Sequence, residues 1–161
     1  MEIRLADRKD VQLIHDLAES IWYPTYRGVI SEDQIQFMLE KSYSEEGLLQ
    51  SMDTGQLFYL IFVGNEAKGF IGLKINEPVL RIEKLYLSPS VQGMGLGKAF
   101  INFAKEFAIN RGLSILELNV NRGNKAYEFY LKQGFKVVET VDIPYYQYVL
   151  NDYIMQQQLF S

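Results

Sequence analysis

The sequence predicts one mixed α/β domain, with a central mixed sheet of about six or seven strands and about four or five helices around it. Three observations predict it. The 161 residues are 48% hydrophobic and 14% aromatic, enough to bury a full core in one domain without covalent staples. Helical periodicity marks residues 7–51, whereas apolar and alternating runs mark residues 57–87. Strands and helices then alternate through the second half, so the sheet mixes parallel and antiparallel neighbours. No repeat, low-complexity tract or linker divides the chain, and residues 1–161 read as a single domain.

EIRLA alternates as a first strand. Asp7 is placed to cap a helix whose apolar face is Val11, Ile14, Leu17, Ala18 and Ile21. Periodicity breaks in WYPTYRGV, at Pro24 and Gly28. Ser31 and Gln34 form a Ser-x-x-Gln capping box for a second helix carrying Ile35, Met38 and Leu39, and a third short helix is expected near residues 44–51. LFYLIFV (57–63), a GNEAKG turn and FIGLK (70–74) read as a hairpin. VLRIEKLYL (79–87) alternates as the next strand and stops at Ser88, Pro89 and Ser90. Beyond a glycine-rich loop, Leu96, Phe100, Phe103, Ala104 and Phe107 share one face of a helix that Gly112 ends. SILELNV (114–120) is a strand and NKAYEFYLKQ a helix closed by Gly134. FKVVETV and YYQYVLNDYIMQQQL are two closing strands. The expected order is β-α-α-β-β-β-α-β-α-β-β.

Composition excludes several chemistries. There is no cysteine, so disulfides, thiol nucleophiles and thiolate metal sites are ruled out. One histidine, His15, cannot build a histidine-rich metal site, so no metal is expected. It sits at a helical position beside apolar residues, as a half-buried or surface histidine would, and no G-x-S-x-G elbow accompanies it. The 20 acidic and 16 basic residues give a net charge of −4, against a nucleic-acid binder and in favour of a cationic substrate, although mild acidity also serves solubility alone. No apolar run reaches membrane-spanning length and MEIRLADRKD lacks the apolar core of a signal peptide, so the expected location is the cytoplasm, away from membranes.

The chemistry concentrates in VQGMGLGKAF, Val91–Phe100, where a strand, a glycine loop and a helix follow one another. That order aims backbone N–H groups and a helix N-terminus at an anion such as a phosphate. A P-loop needs G-x-x-x-x-G-K-[ST]. Here its first glycine would fall at Gln92, and Ala99 stands where the hydroxyl belongs. A dinucleotide fingerprint, G-x-G-x-x-G, would end at Lys98 or Phe100. The pattern present is Q-x-x-G-x-G, as Gln92, Gly95 and Gly97.

LYLSPSVQGMGLGKAF resembles the acetyl-CoA-binding segment of the GNAT N-acetyltransferase superfamily. Downstream, LNVNRGNKAYEFYLKQGF resembles that superfamily's other core segment, through Leu118, Val120, Asn124, Ala126, Tyr130, Gly134 and Phe135. A two-residue gap between asparagine and alanine is shortened here to one. The resemblance spans the chain and is specific over residues 80–136. It implies a GNAT-like three-layer domain that transfers an acetyl group from acetyl-CoA to a primary amine by direct attack. It implies that the backbones of Gly93, Met94, Gly95, Leu96, Gly97 and Lys98 hold the pyrophosphate, with Gln92 shaping the loop. The pantetheine arm would lie along Leu85, Tyr86 and Leu87, whose side chains also read as ordinary core. Asn124 reads equally as a helix cap and as a pantetheine contact. Tyr130 is implied as the general acid on the leaving thiolate; by position alone it is a core aromatic.

An amine nucleophile with a pKa of about 10.4 must lose a proton before it attacks. Glu83 is the candidate base, in alternation with Leu85 and Leu87, and it equally reads as a surface carboxylate paired with Arg81 or Lys84. Glu117 is the alternative base. The resemblance places the acceptor among the first helices and last strands, at Trp22, Tyr23, Tyr26 and Tyr146, with Tyr145 and Tyr148 nearby. Such an aromatic surface can cage a cation or join two copies of the chain as a homodimer. NDYIM together with WYPTY is similar to bacterial members of the superfamily that include polyamine acetyltransferases. The acceptor would thus be a small amine or a peptide N-terminus. The alternatives are an enzyme using another acyl-CoA and a CoA-binding regulatory module without catalysis.

Overall fold

The structure, a computed structural model, describes residues 1–161. Seven strands form one sheet in the order β1-β2-β3-β4-β5-β7-β6. They are β1 (Glu2–Leu5), β2 (Leu57–Val63), β3 (Glu66–Asn76), β4 (Val79–Leu87), β5 (Ile115–Asn121), β6 (Lys136–Tyr145) and β7 (Tyr148–Gln158). All neighbours run antiparallel except β4 and β5. One face carries α1 (Val11–Tyr26), α2 (Glu32–Tyr43) and α3 (Glu45–Asp53), and the other carries α4 (Leu96–Asn110) and α5 (Ala126–Lys132). The domain is therefore three-layered, as expected, with α3 as a full additional helix. No helix is long and apolar enough to cross a membrane.

Each face has its own core. Leu80, Ile82, Phe100, Ala104, Leu116, Leu118, Tyr130 and Met155 belong to the cluster under α4 and α5. Ile14, Ala18, Trp22, Ile35, Leu48, Phe58 and Phe70 belong to the cluster under α1–α3. Alternation along β2 sends Phe58 and Leu60 to the second core and Ile61 to the first.

The helix starts follow the sequence. Asp7 caps a short 3₁₀ turn (Arg8–Asp10) that leads into α1. Ser31 Oγ accepts from Gln34 N–H at 3.1 Å, although the Gln34 amide turns to Met38 Sδ rather than closing the box. His15 is half-buried, with Nδ1 2.7 Å from the Tyr43 carbonyl oxygen.

Three local expectations are corrected. α1 does not break at Pro24 but continues to Tyr26. Proline forfeits its N–H bond to the preceding turn, yet Trp22 and Tyr26 on either side are buried and stack at 4.5 Å between ring centroids, and that burial prevails. β3 begins at Glu66, so the hairpin turn is only Gly64 and Asn65. The closing hairpin turns at Tyr146 and Gln147 without a glycine. Tyr146 takes a left-handed φ of 55°, held by stacking on Phe37 at 5.2 Å and by Lys41 Nζ, 4.8 Å from its ring.

The fourth correction bears on the site. β4 does not alternate throughout. Gly72 pairs with Lys84 and Leu73 with Ile82, which leaves Glu83 as an extra, bulged residue. Leu80 and Ile82 before the bulge, and Leu85 and Leu87 after it, all face α4 and α5. Lys84 and Tyr86 are thereby turned to the α1–α3 side. Lys84 Nζ donates to Gln56 Oε1 at 2.8 Å and lies 5.7 Å from the Tyr43 ring and 5.6 Å from that of Phe58. Burial lowers its pKa to about 8, with Glu83 opposing the shift. Because the folded value lies below the unfolded value of about 10.4, stability rises with pH across that interval and the full penalty applies below pH 8. Lys84→Met removes the titration. In chemical denaturation, wild type is expected to gain stability relative to Lys84→Met between pH 7.5 and 10; a difference independent of pH would show that Lys84 is not desolvated.

Candidate active site

β4 and β5 pair only from Val79 to Ile82 and from Ile115 to Leu118. Beyond those rungs the strands part. β4 stays bonded to β3 through Leu87 and β5 to β7 through Asn121, so each keeps its outer neighbour and loses its inner one. A cleft of roughly 1000 Å³ passes through the opening, from the N-terminus of α4 to the α1–α2 side of the sheet. Leu85, Tyr86 and Leu87 line it with backbone that β5 leaves unpaired.

The glycine loop forms one end. A 3₁₀ turn (Pro89–Val91) follows β4, and buried Val91 anchors it. Gly93 and Gly95 take left-handed φ values of 86° and 80°, and Gly95 is the N-cap of α4 with no side chain to satisfy the first turn. The N–H groups of Leu96, Gly97 and Lys98 consequently point out of the helix with its positive dipole end. Gln92, Gly93, Gly95, Leu96, Gly97 and Lys98 all line the cleft. Met94 does not. Its N–H is spent on the Val91 carbonyl at 3.2 Å and its side chain faces outward. Gly97 answers to packing: a Cβ there would stand 3.0 Å from Cζ of Phe129 on α5.

Tyr130 and Asn124 reach the same cleft. Tyr130 lies in the core beside Phe129 and Phe135, and burial raises its phenol far above the ordinary value, so it keeps its proton. Phe129 faces the cleft as well, whereas Tyr127 packs on Tyr153 at 4.8 Å. Asn124 Oδ1 accepts from Ala126 N–H at 2.9 Å, one residue ahead of Lys125, the N-cap of α5, so it ties down the entry to the helix from just outside the cap position.

On the α1 side, Trp22 and Tyr26 line the cleft. The Tyr26 and Tyr86 hydroxyls are 2.8 Å apart, and burial raises both phenols. Tyr23 and Tyr146 are not brought to the cleft wall. Tyr145, Tyr146 and Tyr148 instead pack on Phe37, between 5.2 and 6.2 Å away, and pin the β6–β7 hairpin to α2.

The carboxylates separate sharply. Glu83 lines the cleft, is exposed, and has Oε2 3.7 Å from Arg81 Nε. Glu117 lies off the wall, bound by Arg81 and by the Gln156 amide. Arg81 Nη2 also donates to Asn119 Oδ1 at 2.8 Å, and Asn119 Nδ2 donates to Asp152 Oδ2 at 3.2 Å. Asp152, on β7, is a cleft residue that sequence reasoning missed. It is 8% exposed, and burial raises its carboxyl above the ordinary carboxylate value, with Asn119 and Arg122 opposing the shift. In the sequence it sits inside NDYIM as one more acid in a polar-flanked strand; only the order β5-β7 places it beside Asn119.

This geometry has relatives. Residues 26–143 match the family model described as Acetyltransferase (GNAT) domain. The chain is 32% identical over 146 residues to a spermidine N(1)-acetyltransferase of Thermoplasma acidophilum, covering 87% of this chain and 91% of that one. Among solved structures, the PaiA N-acetyltransferase of Thermoplasma acidophilum in complex with coenzyme A superposes with a TM-score of 0.85 at 31% identity, over 98% of both chains. The ribosomal-protein-S18-alanine N-acetyltransferase of Escherichia coli shares the fold alone, with a TM-score of 0.76 at 15% identity over 99% of this chain and 94% of that one. A parted β4–β5 pair, a glycine turn opening α4 and a tyrosine on α5 thus meet a family match over most of the length: the chain belongs to the GNAT family of acetyltransferases.

Proposed function

We propose that the protein transfers the acetyl group of acetyl-CoA to a primary amine of the polyamine kind. The observation that carries this reading is the cleft between the parted strands, with free N–H donors at one end and an aromatic, acid-bearing wall at the other. The spermidine acetyltransferase and the coenzyme A-bound PaiA relatives support it. Met38 and Tyr43 of α2 and Leu150 of β7 wall the acceptor end, which suits a slender alkyl amine better than a polypeptide.

The donor suits these residues. The first-turn N–H groups of α4, with the turn at Gly93 and Gly95, would hold a pyrophosphate. The open backbone of Leu85–Leu87 would pair with the amides of pantetheine, beside Asn124. Bound acetyl-CoA supplies a thioester carbonyl carbon. The neutral amine nitrogen bonds to that carbon, the C–S bond breaks with its electron pair on sulfur, and the amine loses its second N–H proton as the thiol gains one. Tyr130, protonated at all working pH values, meets the thiolate as a donor. A thiol has a pKa of about 8.5, so the phenol is the weaker acid. Its hydrogen bond carries the developing charge until a solvent proton arrives. Glu83, on the cleft wall, passes to water the second N–H proton, the one shed after attack.

Acetyl-CoA at roughly 100-fold Kd should stabilise the protein by about 2.7 kcal/mol, read as a rise in Tm; no rise at any concentration would remove the donor site. Gly95→Val, at a left-handed φ, should cost about 1–2 kcal/mol of backbone strain and abolish the acetyl-CoA-induced rise in Tm. A full rise in that variant would mean that the pyrophosphate lies elsewhere. Tyr130→Phe should lower kcat by about 10²-fold or more while the acetyl-CoA-induced rise persists, and an unchanged kcat would reduce Tyr130 to packing.

A further inference from the structure

We infer that Asp152 is the acceptor-side carboxylate, holding the incoming ammonium group and taking its proton. The inference rests on the amine-acetyltransferase reading and deepens it.

Only two acids line the cleft. Glu83 is only partly buried, with 29% of its side chain exposed, and is already faced by Arg81. Asp152 is buried, and no lysine, arginine or histidine pairs with its carboxylate. One oxygen accepts from the Asn119 amide at 3.2 Å. Arg122, the nearest cation, is committed elsewhere: Nη1 donates to the Val141 and Asp152 backbone carbonyls at 2.8 and 3.1 Å, and Nη2 to Asp142 Oδ1 at 2.6 Å. A carboxylate largely withdrawn from water and held by one neutral donor is costly. A ligand cation entering the cleft supplies the missing partner.

The neighbours fix how it is held. Asn119 spends its carbonyl on Arg81 and its amino group on Asp152, so the Arg81–Glu117 pair fixes the amide that orients Asp152. Tyr26, Tyr130 and Asp152 line the same cleft, so the acceptor carboxylate and the phenol that meets the thiolate share one aromatic-walled space. The charged and titratable groups around Asp152 are therefore Arg122 from the turn that follows β5, Asp142 from β6, Tyr26 from α1 and, through Asn119, Arg81 from β4.

The step balances simply. An N–H bond of the ammonium breaks, its electron pair remains on nitrogen as the attacking lone pair, and the proton forms an O–H bond on Asp152. Burial makes this carboxylate a stronger base than an exposed one and lowers the pKa of the ammonium, which draws the two together. The proton leaves to water through the cleft after transfer.

The test uses the full chain, with spermidine as the amine probe. Three quantities are measured for wild type, Asp152→Asn and Asp152→Glu: the coenzyme A-induced rise in Tm, spermidine binding to the coenzyme A-saturated protein by calorimetry, and kcat/KM against pH. Asp152→Asn should keep the coenzyme A response and weaken spermidine binding at least tenfold. Since Asp152 works as the anion, wild-type kcat/KM should fall as pH drops through a limb raised above the ordinary carboxylate range, and Asp152→Asn should lack that limb. Asp152→Glu should recover most of the binding. Spermidine binding and pH profile in Asp152→Asn within twofold of wild type would overturn the inference alone. So would a Glu variant as weak as the Asn variant, which would assign the loss to packing. A wild type that responds to coenzyme A but neither binds nor acetylates spermidine would overturn the polyamine reading together with it.

Discussion

Everything functional here depends on how little of β4 and β5 is paired. Four rungs of parallel ladder join the two halves of the sheet, and then the strands diverge. A sheet interior is normally the worst place to leave backbone amides and carbonyls without partners. Here the outer neighbours β3 and β7 keep each strand paired and satisfied on one side, so the inner side can stay open without fraying. The bulge at Glu83 sits one residue past the last rung and turns Lys84 and Tyr86 away from the face that holds Leu85 and Leu87. The same irregularity that ends the pairing also builds the two unlike walls of the opening.

The three alternate glycines look like one device in the sequence and are two in space. Gly93 and Gly95 give the chain a left-handed path into α4, which exposes the first-turn amides. Gly97 lets α5 come down on α4 at Phe129. The loop and the helix that carries Tyr130 are therefore positioned against each other by contact.

Most of the fold could be read from the sequence because it rests on local signals. LFYLIFV and VLRIEKLYL give the bounds of β2 and β4, and Gly112 and Gly134 stop their helices. What escaped depends on contacts between distant residues. Pro24 stays helical because Trp22 and Tyr26 are buried by residues remote in sequence. The bulge at Glu83 is invisible in a stretch that alternates well enough to pass as regular. Tyr146 reads as an acceptor-site aromatic, yet Phe37, more than a hundred residues earlier, draws it onto α2. In the same way, the glycine loop and the Asn124–Tyr130 segment were legible as motifs, whereas Asp152 acquires meaning only when β7 is laid beside β5.

The sheet keeps its two hydrophobic cores apart, and the cleft is bordered by both. The donor loop and α5 grow out of the core beneath α4, while Trp22, Tyr26 and the α2 wall grow out of the core beneath α1–α3. Substitutions in the α1–α2 part of the acceptor wall therefore repack one core and leave the other, with its glycine turn, in place. A scaffold divided in this way can change the molecules it modifies during evolution while inheriting its donor machinery intact.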